Sequence, residues 1–267
     1  MDETFRADCF ADATRRGFNL KLLAGPLDVG IAFAQASFSH LDNYSSQIFI
    51  AVWTGLLVHI DDCCELCIDG LKEFTIRFVC REPQKCRALD HLAEMTKELS
   101  DRWGAIAANI ILAAEIDYIA ASMIDPEIKG MEVRLTPDFP QFTREMSGVA
   151  RAYSCQVFSP SLDVRKWIQV VPDCSYYIDH VNDLLSFYKE ELAAESANFV
   201  SMHARAEGVS KIEALARLAD STAACYHRGI KLLQSRPEAL NAFKSFCSGY
   251  IGFHALSPRY KLDQLNL

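Results

Sequence analysis

Ile48-Phe49-Ile50-Ala51-Val52-Trp53-Thr54-Gly55-Leu56-Leu57-Val58-His59-Ile60-Asp61-Asp62 is apolar on nearly every side until it ends in two carboxylates. A helix without a polar face belongs among other helices, so this stretch predicts the central helix of an all-α protein. Its apolar part, Ile48 to Ile60, is too short to span a bilayer and is interrupted by Thr54, Gly55 and His59. Paired carboxylates at the end of a buried helix are costly unless something neutralises them.

Outward from this stretch, apolar residues recur at three- and four-residue spacing through 46–67, 104–124, 163–192, 209–233 and 238–256. Only Thr75-Ile76-Arg77-Phe78-Val79 alternates as a strand would. Punctuation at Gly70, Asp125-Pro126, Thr136-Pro137 through Pro140, Ser159-Pro160 and Gly208 marks expected helix boundaries. Ser210-x-x-Glu213 has the form of a capping box and starts the helix after Gly208.

With no linker, low-complexity block or repeat, the 267 residues are expected to form one domain, 1–267. The net charge of -8, from 35 acidic against 27 basic residues, argues against a nucleic-acid partner. An anionic ligand would then need a metal ion or a few converging cations. The start Met1-Asp2-Glu3 lacks a basic region followed by an apolar one, so a cytoplasmic location without a membrane span is expected. Ten cysteines in a chain of this size and no secretion signal predict reduced thiols, most of them core residues.

Asp61-Asp62-Cys63-Cys64-Glu65 puts Asp61 and Glu65 at i and i+4, one face of a continued helix. Such a face either binds a hard cation such as Mg2+ or is simply the solvated end of a core helix. His59, Cys63 and Cys67 share the opposing face, and no second Cys/His cluster supplies the remaining ligand of a zinc site.

Asn182-Asp183-Leu184-Leu185-Ser186-Phe187-Tyr188-Lys189-Glu190 places an amide oxygen, a hydroxyl and a carboxylate at i, i+4 and i+8. Successive members are rotated by about 40° on a helix, so neighbours can converge on one ion. Spacing alone leaves a metal face and a solvated stripe equally open.

The string NDLLSFYKE resembles the second metal motif of class I terpene cyclases, particularly the trichodiene-synthase-like fungal sesquiterpene cyclases. The resemblance runs from about residue 40 to the C-terminus and keeps the family's order. Asp61-Asp62-x-x-Glu65 stands where the aspartate-rich motif is expected, with Glu65 in place of the usual Asp. Asp138 to Gly148 is similar to the segment holding a diphosphate-sensing arginine, here Arg144. Gly249 to His254 with Arg259-Tyr260 resembles the terminal helix and its Arg-Tyr pair.

That resemblance implies a bundle of antiparallel helices around a central apolar pocket, with three Mg2+ ions and a prenyl diphosphate, farnesyl diphosphate foremost, at its mouth. It assigns Asp61, Asn182, Ser186 and Glu190 to the metal, and Arg144, Lys189, Arg259 and Tyr260 to the diphosphate. Asp62, paired with Arg259 on closure, and Glu65 would support them. Trp53, Thr54, Leu57, Val58, Ser175, Ile178 and Phe253 would line the pocket. A homodimer is expected on the resemblance alone. The implied reaction is ionisation and cyclisation to a sesquiterpene; the alternatives are a prenyl-chain elongating transferase and a non-catalytic prenyl-diphosphate-binding protein.

Overall fold

The computed structural model describes residues 2–128, 131, 136, 138–195 and 197–265. Among them the chain forms twelve α-helices and no strand. The first six are α1 (Glu3–Arg15), α2 (Leu20–Ser37), α3 (Tyr44–Asp62), α4 (Ile68–Cys80), α5 (Arg87–Thr96) and α6 (Leu99–Ile128). The rest are α7 (Asp138–Ser147), α8 (Ala150–Gln156), α9 (Val171–Leu192), α10 (Phe199–Glu207), α11 (Lys211–Leu233) and α12 (Pro237–Leu256).

The apolar stretch from Ile48 is the middle of α3, with Phe49 to Leu57 buried without a break. It packs against α1, α2 and α5, while α9 packs against α8, α11 and α12, and α2 meets α12 to join the two groups. The approach of α2 to α3 needs missing side chains: a Cβ on Gly30 of α2 would lie 2.1 Å from the Ala51 carbonyl oxygen, and one on Gly55 would lie 2.8 Å from the Leu27 Cα. Two glycines facing each other thus set how near α2 and α3 come.

Several boundaries differ from expectation. Gly70 falls in the first turn of α4, and Pro126 lies inside the last turns of α6, where the helix runs on to Ile128. Pro137 lies outside the described residues, and α7 starts at Asp138. The alternating run Thr75 to Val79 is helical, because its register leaves Ile76 and Val79 exposed while Phe74 packs inward. Ser210 caps α11 as its spacing predicts, accepting from the Glu213 amide.

Leu99–Ile124 is long and apolar enough to cross a membrane by length and composition. Within the bundle 44% of its most apolar window is buried, and the helix bends at Gly104, whose φ is 75°. It packs against α4, α7 and α8, as an interior helix of a bundle does.

Candidate active site

The stripe Asn182, Ser186, Glu190 lies on one unbroken helix, α9, whose first turn carries Pro172, a residue well suited to a helix start. Continuity holds the three side chains on one face. Ser186 is almost fully buried and its hydroxyl oxygen has no hydrogen-bond partner. Burial raises the pKa of Glu190 even though Ser186 and Lys189 nearby favour its charged form. Ser186 is therefore close enough to act on Glu190 electrostatically without an aligned hydrogen bond. Lys189 Nζ sits 3.8 Å from Glu190 Oε1 and 5.9 Å from the centre of the Tyr260 ring.

Arg144 on α7 reaches across to this helix. Its guanidinium donates to the Asp179 carbonyl at 2.9 Å and to Asn182 Oδ1 at 3.1 Å. Arg144 Nε lies 2.7 Å from Asp183 Oδ1 without an aligned hydrogen bond, and Nη1 lies 3.6 Å from Asp179 Oδ1. Burial works against the charge of Arg144, but the Asp183 and Asp179 carboxylates outweigh it and raise its pKa. Asp179 is itself pushed up to about 7, by burial first, against the attraction of Arg144. Gly148 makes this packing feasible, since a Cβ there would lie 1.8 Å from Asp179 Oδ1.

Asn182 is held from its other end as well. His254 Nδ1 lies 2.8 Å from the Tyr250 carbonyl oxygen and its Nε2 lies 3.1 Å from Asn182 Nδ2. One tautomer satisfies both contacts: Nδ1–H donates to the carbonyl and Nε2 accepts from the amide. Burial lowers the pKa of His254 to about 4, which keeps the ring neutral and able to accept. The Asn182 oxygen thereby faces Arg144, and its side chain also acts on the Tyr260 phenol. Asp183 is tied in parallel, with His180 Nδ1 at 2.8 Å from its Oδ2.

The opposite half is looser. α3 stops at Asp62, Cys63 leaves the helical region, and Cys64–Cys67 is a 3-10 turn. The expected shared face of Asp61 and Glu65 is therefore not formed, because the change of helix type alters the angle between them. His59, Cys63 and Cys67 do stay together, with Cys63 Sγ 3.8 Å from His59 Nε2 and the Cys63 thiol beside that of Cys67, but among the described residues they form no metal-binding group. Asp61 reaches solvent yet is recessed: burial and the Asp62 charge raise its pKa, while Arg259 and Lys189 lower it. The two halves thus face each other across the mouth. Among the described residues no ion pair within 4 Å joins Asp62 to Arg259, and Arg259 and Glu65 are exposed. A carboxylate outside either motif, Glu195, acts on both Asp61 and Glu190.

A cavity of about 550 Å³ opens at the α9 half, bordered by Arg144, Asn182, Asp183, Glu190 and Glu195. Among the described residues no group of three His, Cys, Asp or Glu side chains is gathered as a ready-made metal cluster. What is present is an all-oxygen set, Asn182, Ser186 and Glu190, with one buried hydroxyl lacking a partner. Such a set fits a hard divalent cation.

Beneath the mouth the expected wall residues divide. Tyr260, Phe253, Phe33, Tyr153 and Trp53 form a continuous ladder of edge-to-face rings, with successive centroids 5.8, 5.5, 4.8 and 5.3 Å apart. Thr54 hydrogen-bonds Tyr153, and the Leu57 and Ile178 carbonyls accept from Tyr118 and Tyr250. Trp53 turns its N–H to Glu115 at 2.8 Å, and Val58 is half-buried. Ser175 hydrogen-bonds Ser154 and borders a flank cavity of about 680 Å³ that the ladder residues do not line.

Residues 31–266 match the sequence model of the trichodiene synthase (TRI5) family. The chain belongs to the trichodiene synthase family. It is 32% identical over 240 residues to alpha-cuprenene synthase COP6 of Coprinopsis cinerea, covering 89% of this chain and 73% of that protein. It is 30% identical over 261 residues to monoterpene synthase 25 of Postia placenta, covering 96% and 78%. The linalool/nerolidol synthase of Streptomyces clavuligerus, solved with 2-fluorogeranyl diphosphate, shares the fold at a TM-score of 0.74 and 15% identity, covering 97% of this chain and 95% of that one.

In this trichodiene synthase family member, sequence reasoning missed Asp179, His180, Asp183 and His254 around the α9 stripe, and Phe33 and Tyr153 in the ladder. Asp179 and Asp183 stand at i and i+4 on the same helix, a signal that spacing offers. Nothing local marks Phe33 or Tyr153, which acquire their place only through helix packing.

Proposed function

We propose that this terpene synthase takes farnesyl diphosphate, expels its diphosphate with the help of Mg2+, and cyclises the resulting cation to a sesquiterpene hydrocarbon or alcohol. The buried, partnerless Ser186 hydroxyl between Asn182 and Glu190 carries this reading. An unsatisfied buried hydroxyl costs about 1–3 kcal/mol, and a cation ligated there would repay it. Asn182, Ser186, Glu190 and Asp61 would hold the metal, three ions in all on the resemblance. When bound, the ions neutralise the diphosphate and polarise its bond to the allylic carbon.

The chain's own cations complete the site. Arg144, Lys189, Arg259 and Tyr260 would donate hydrogen bonds to diphosphate oxygens, and these strengthen as charge gathers on the leaving group. Arg144 is fixed by Asp179 and Asp183, so it reorganises little. Arg259 is exposed and lacks an ion-pair partner among the described residues, which leaves it able to swing toward Asp62 as the mouth closes. The ring ladder gives the cation polarisable, dry surroundings. On this reading the chain acts as one domain in the cytoplasm, and dimerises.

Incubating the purified chain and Mg2+ separately with farnesyl, geranyl and geranylgeranyl diphosphate, followed by gas chromatography with mass spectrometry, tests the proposal. A cyclic C15 product is expected. A C10 product alone would move the substrate to geranyl diphosphate. A longer diphosphate formed on adding isopentenyl diphosphate would favour elongation, and no diphosphate release from any substrate would leave a binding protein.

A further inference from the structure

Midway along the ring ladder stands a pair of hydroxyls. Thr54 Oγ1 and Tyr153 Oη lie 3.0 Å apart, both buried, on α3 and α8. Tyr153 is surrounded by rings: Phe33 at 4.8 Å, Trp53 at 5.3 Å and Phe38 at 6.4 Å between centroids. The other phenols nearby are spent differently, since Tyr118 and Tyr250 each donate to a backbone carbonyl. Thr54 and Tyr153 make no other side-chain hydrogen bond among the described residues. Two hydroxyls sharing one hydrogen bond keep three lone pairs and one hydrogen unspent. That surplus of lone pairs, set among ring faces and one ring away from the Glu115 carboxylate bound by Trp53, favours positive charge.

We infer that the Thr54–Tyr153 hydroxyl pair determines the product, by fixing where along the hydrocarbon chain the cation comes to rest and loses its proton. This rests on the terpene synthase reading above. In the terminating step a C–H bond next to the cationic carbon breaks, and its electron pair becomes the new C=C bond. The proton passes to an oxygen of the released diphosphate and leaves with it when the mouth reopens, while the Tyr153 and Thr54 lone pairs hold the cation in the position from which it is lost. No oxidant or further reactant is needed. Burial raises the pKa of Tyr153 despite Thr54, so the phenol stays neutral and acts through its lone pairs.

The position of the pair suits this role. The ladder connects it through Phe33 and Phe253 to Tyr260 at the mouth. A cation drawn from the mouth along the ladder would meet these lone pairs before the Glu115 carboxylate behind Trp53.

The test compares Thr54→Val, Thr54→Ser and Tyr153→Phe with the wild-type chain, reading the product distribution per diphosphate released so that altered turnover does not enter. Val keeps the shape of Thr and removes the hydroxyl, whereas Ser removes a methyl and keeps it. The hydroxyl account predicts that Thr54→Val and Tyr153→Phe lower the ratio of the main product to all others by about tenfold, while Thr54→Ser stays within about twofold. A packing role predicts the reverse order for Val and Ser, and that order overturns the inference. An unchanged profile in Thr54→Val overturns it too. If Tyr153→Phe does not fold, the Val and Ser pair alone decides. Should wild-type chain release no diphosphate, the function itself fails; release with an unaltered profile in the variants sinks only the inference.

Discussion

The two halves of the mouth are built in opposite ways. On α9 the polar residues are buried and tied together: Asn182 is held between Arg144 and His254, and Asp183 between Arg144 and His180. At the end of α3, Asp61 and Asp62 form no ion pair within 4 Å among the described residues, the helix breaks at Cys63, and Asp61 faces solvent as well as Arg259 and Lys189. One half is organised before any ligand arrives. The other is left free to move, which suits a site that must admit a diphosphate and then close on it.

The sharpest way to break this contrast is to remove the residue that organises the α9 half. Arg144→Leu leaves Asp179 and Asp183 buried without their cation, and chemical denaturation should record a loss of about 3–5 kcal/mol. A loss below about 1 kcal/mol would mean that the network is solvated and not preorganised.

The buried part of α3 offers a second test, because Trp53 is anchored there by Glu115. That carboxylate is almost fully buried and accepts from Trp53 and Thr96 at 2.8 Å each. Burial raises its pKa from 4.5 to about 7 in the folded chain. A raised folded-state value means that the stabilising form is the protonated one, fully present below pH 4.5 and lost as pH rises through about 7. The wild-type chain should therefore lose about 3 kcal/mol from this group between pH 4.5 and 8. Glu115→Gln should remove that part of the slope in denaturation curves taken across the range. A slope identical to wild type would show that Glu115 is ionised and matched by its donors throughout.

The loose half yields a comparison within five residues. Asp61→Asn should lower diphosphate release about a hundredfold, and Glu65→Gln, exposed on the 3-10 turn, by less than about threefold. Equal losses in the two variants would mean that the turn rewinds into α3 on ligand binding and restores the i, i+4 face.

How much of this was legible in the sequence follows the same division. The stripe Asn182, Ser186, Glu190 could be read because α9 is continuous, and within a continuous helix spacing fixes direction. The Asp61 and Glu65 face could not, because its geometry depends on where α3 stops. Arg144 was marked only by resemblance; its partners lie 35 and 39 residues away, and no local pattern connects them. α2 was hidden by its own punctuation, since Pro26 and Gly30 lie inside a helix whose close contact with α3 needs that glycine. Tyr153 was hidden in a helix of seven residues, too short for periodicity to declare a face. The central helix and the all-α class were plain, because an apolar run that long leaves few other places to be.

The smallest effect concerns a feature far from the mouth. Ser210→Ala should cost about 1 kcal/mol through loss of the α11 cap, with diphosphate release unaltered. A change in release of more than about threefold would tie α11, which packs along α9, to the organised half.

The central claim is that the α9 stripe holds Mg2+ against a prenyl diphosphate. It is met most directly by following diphosphate release from farnesyl diphosphate across a Mg2+ titration, in wild-type chain, Asn182→Ala and Glu190→Ala, each checked for folding by circular dichroism. The account predicts saturable, chelator-sensitive release by the wild-type chain, and in both folded variants a higher Mg2+ requirement with release lowered by about a hundredfold or more. Wild-type release and Mg2+ dependence in either folded variant would contradict it.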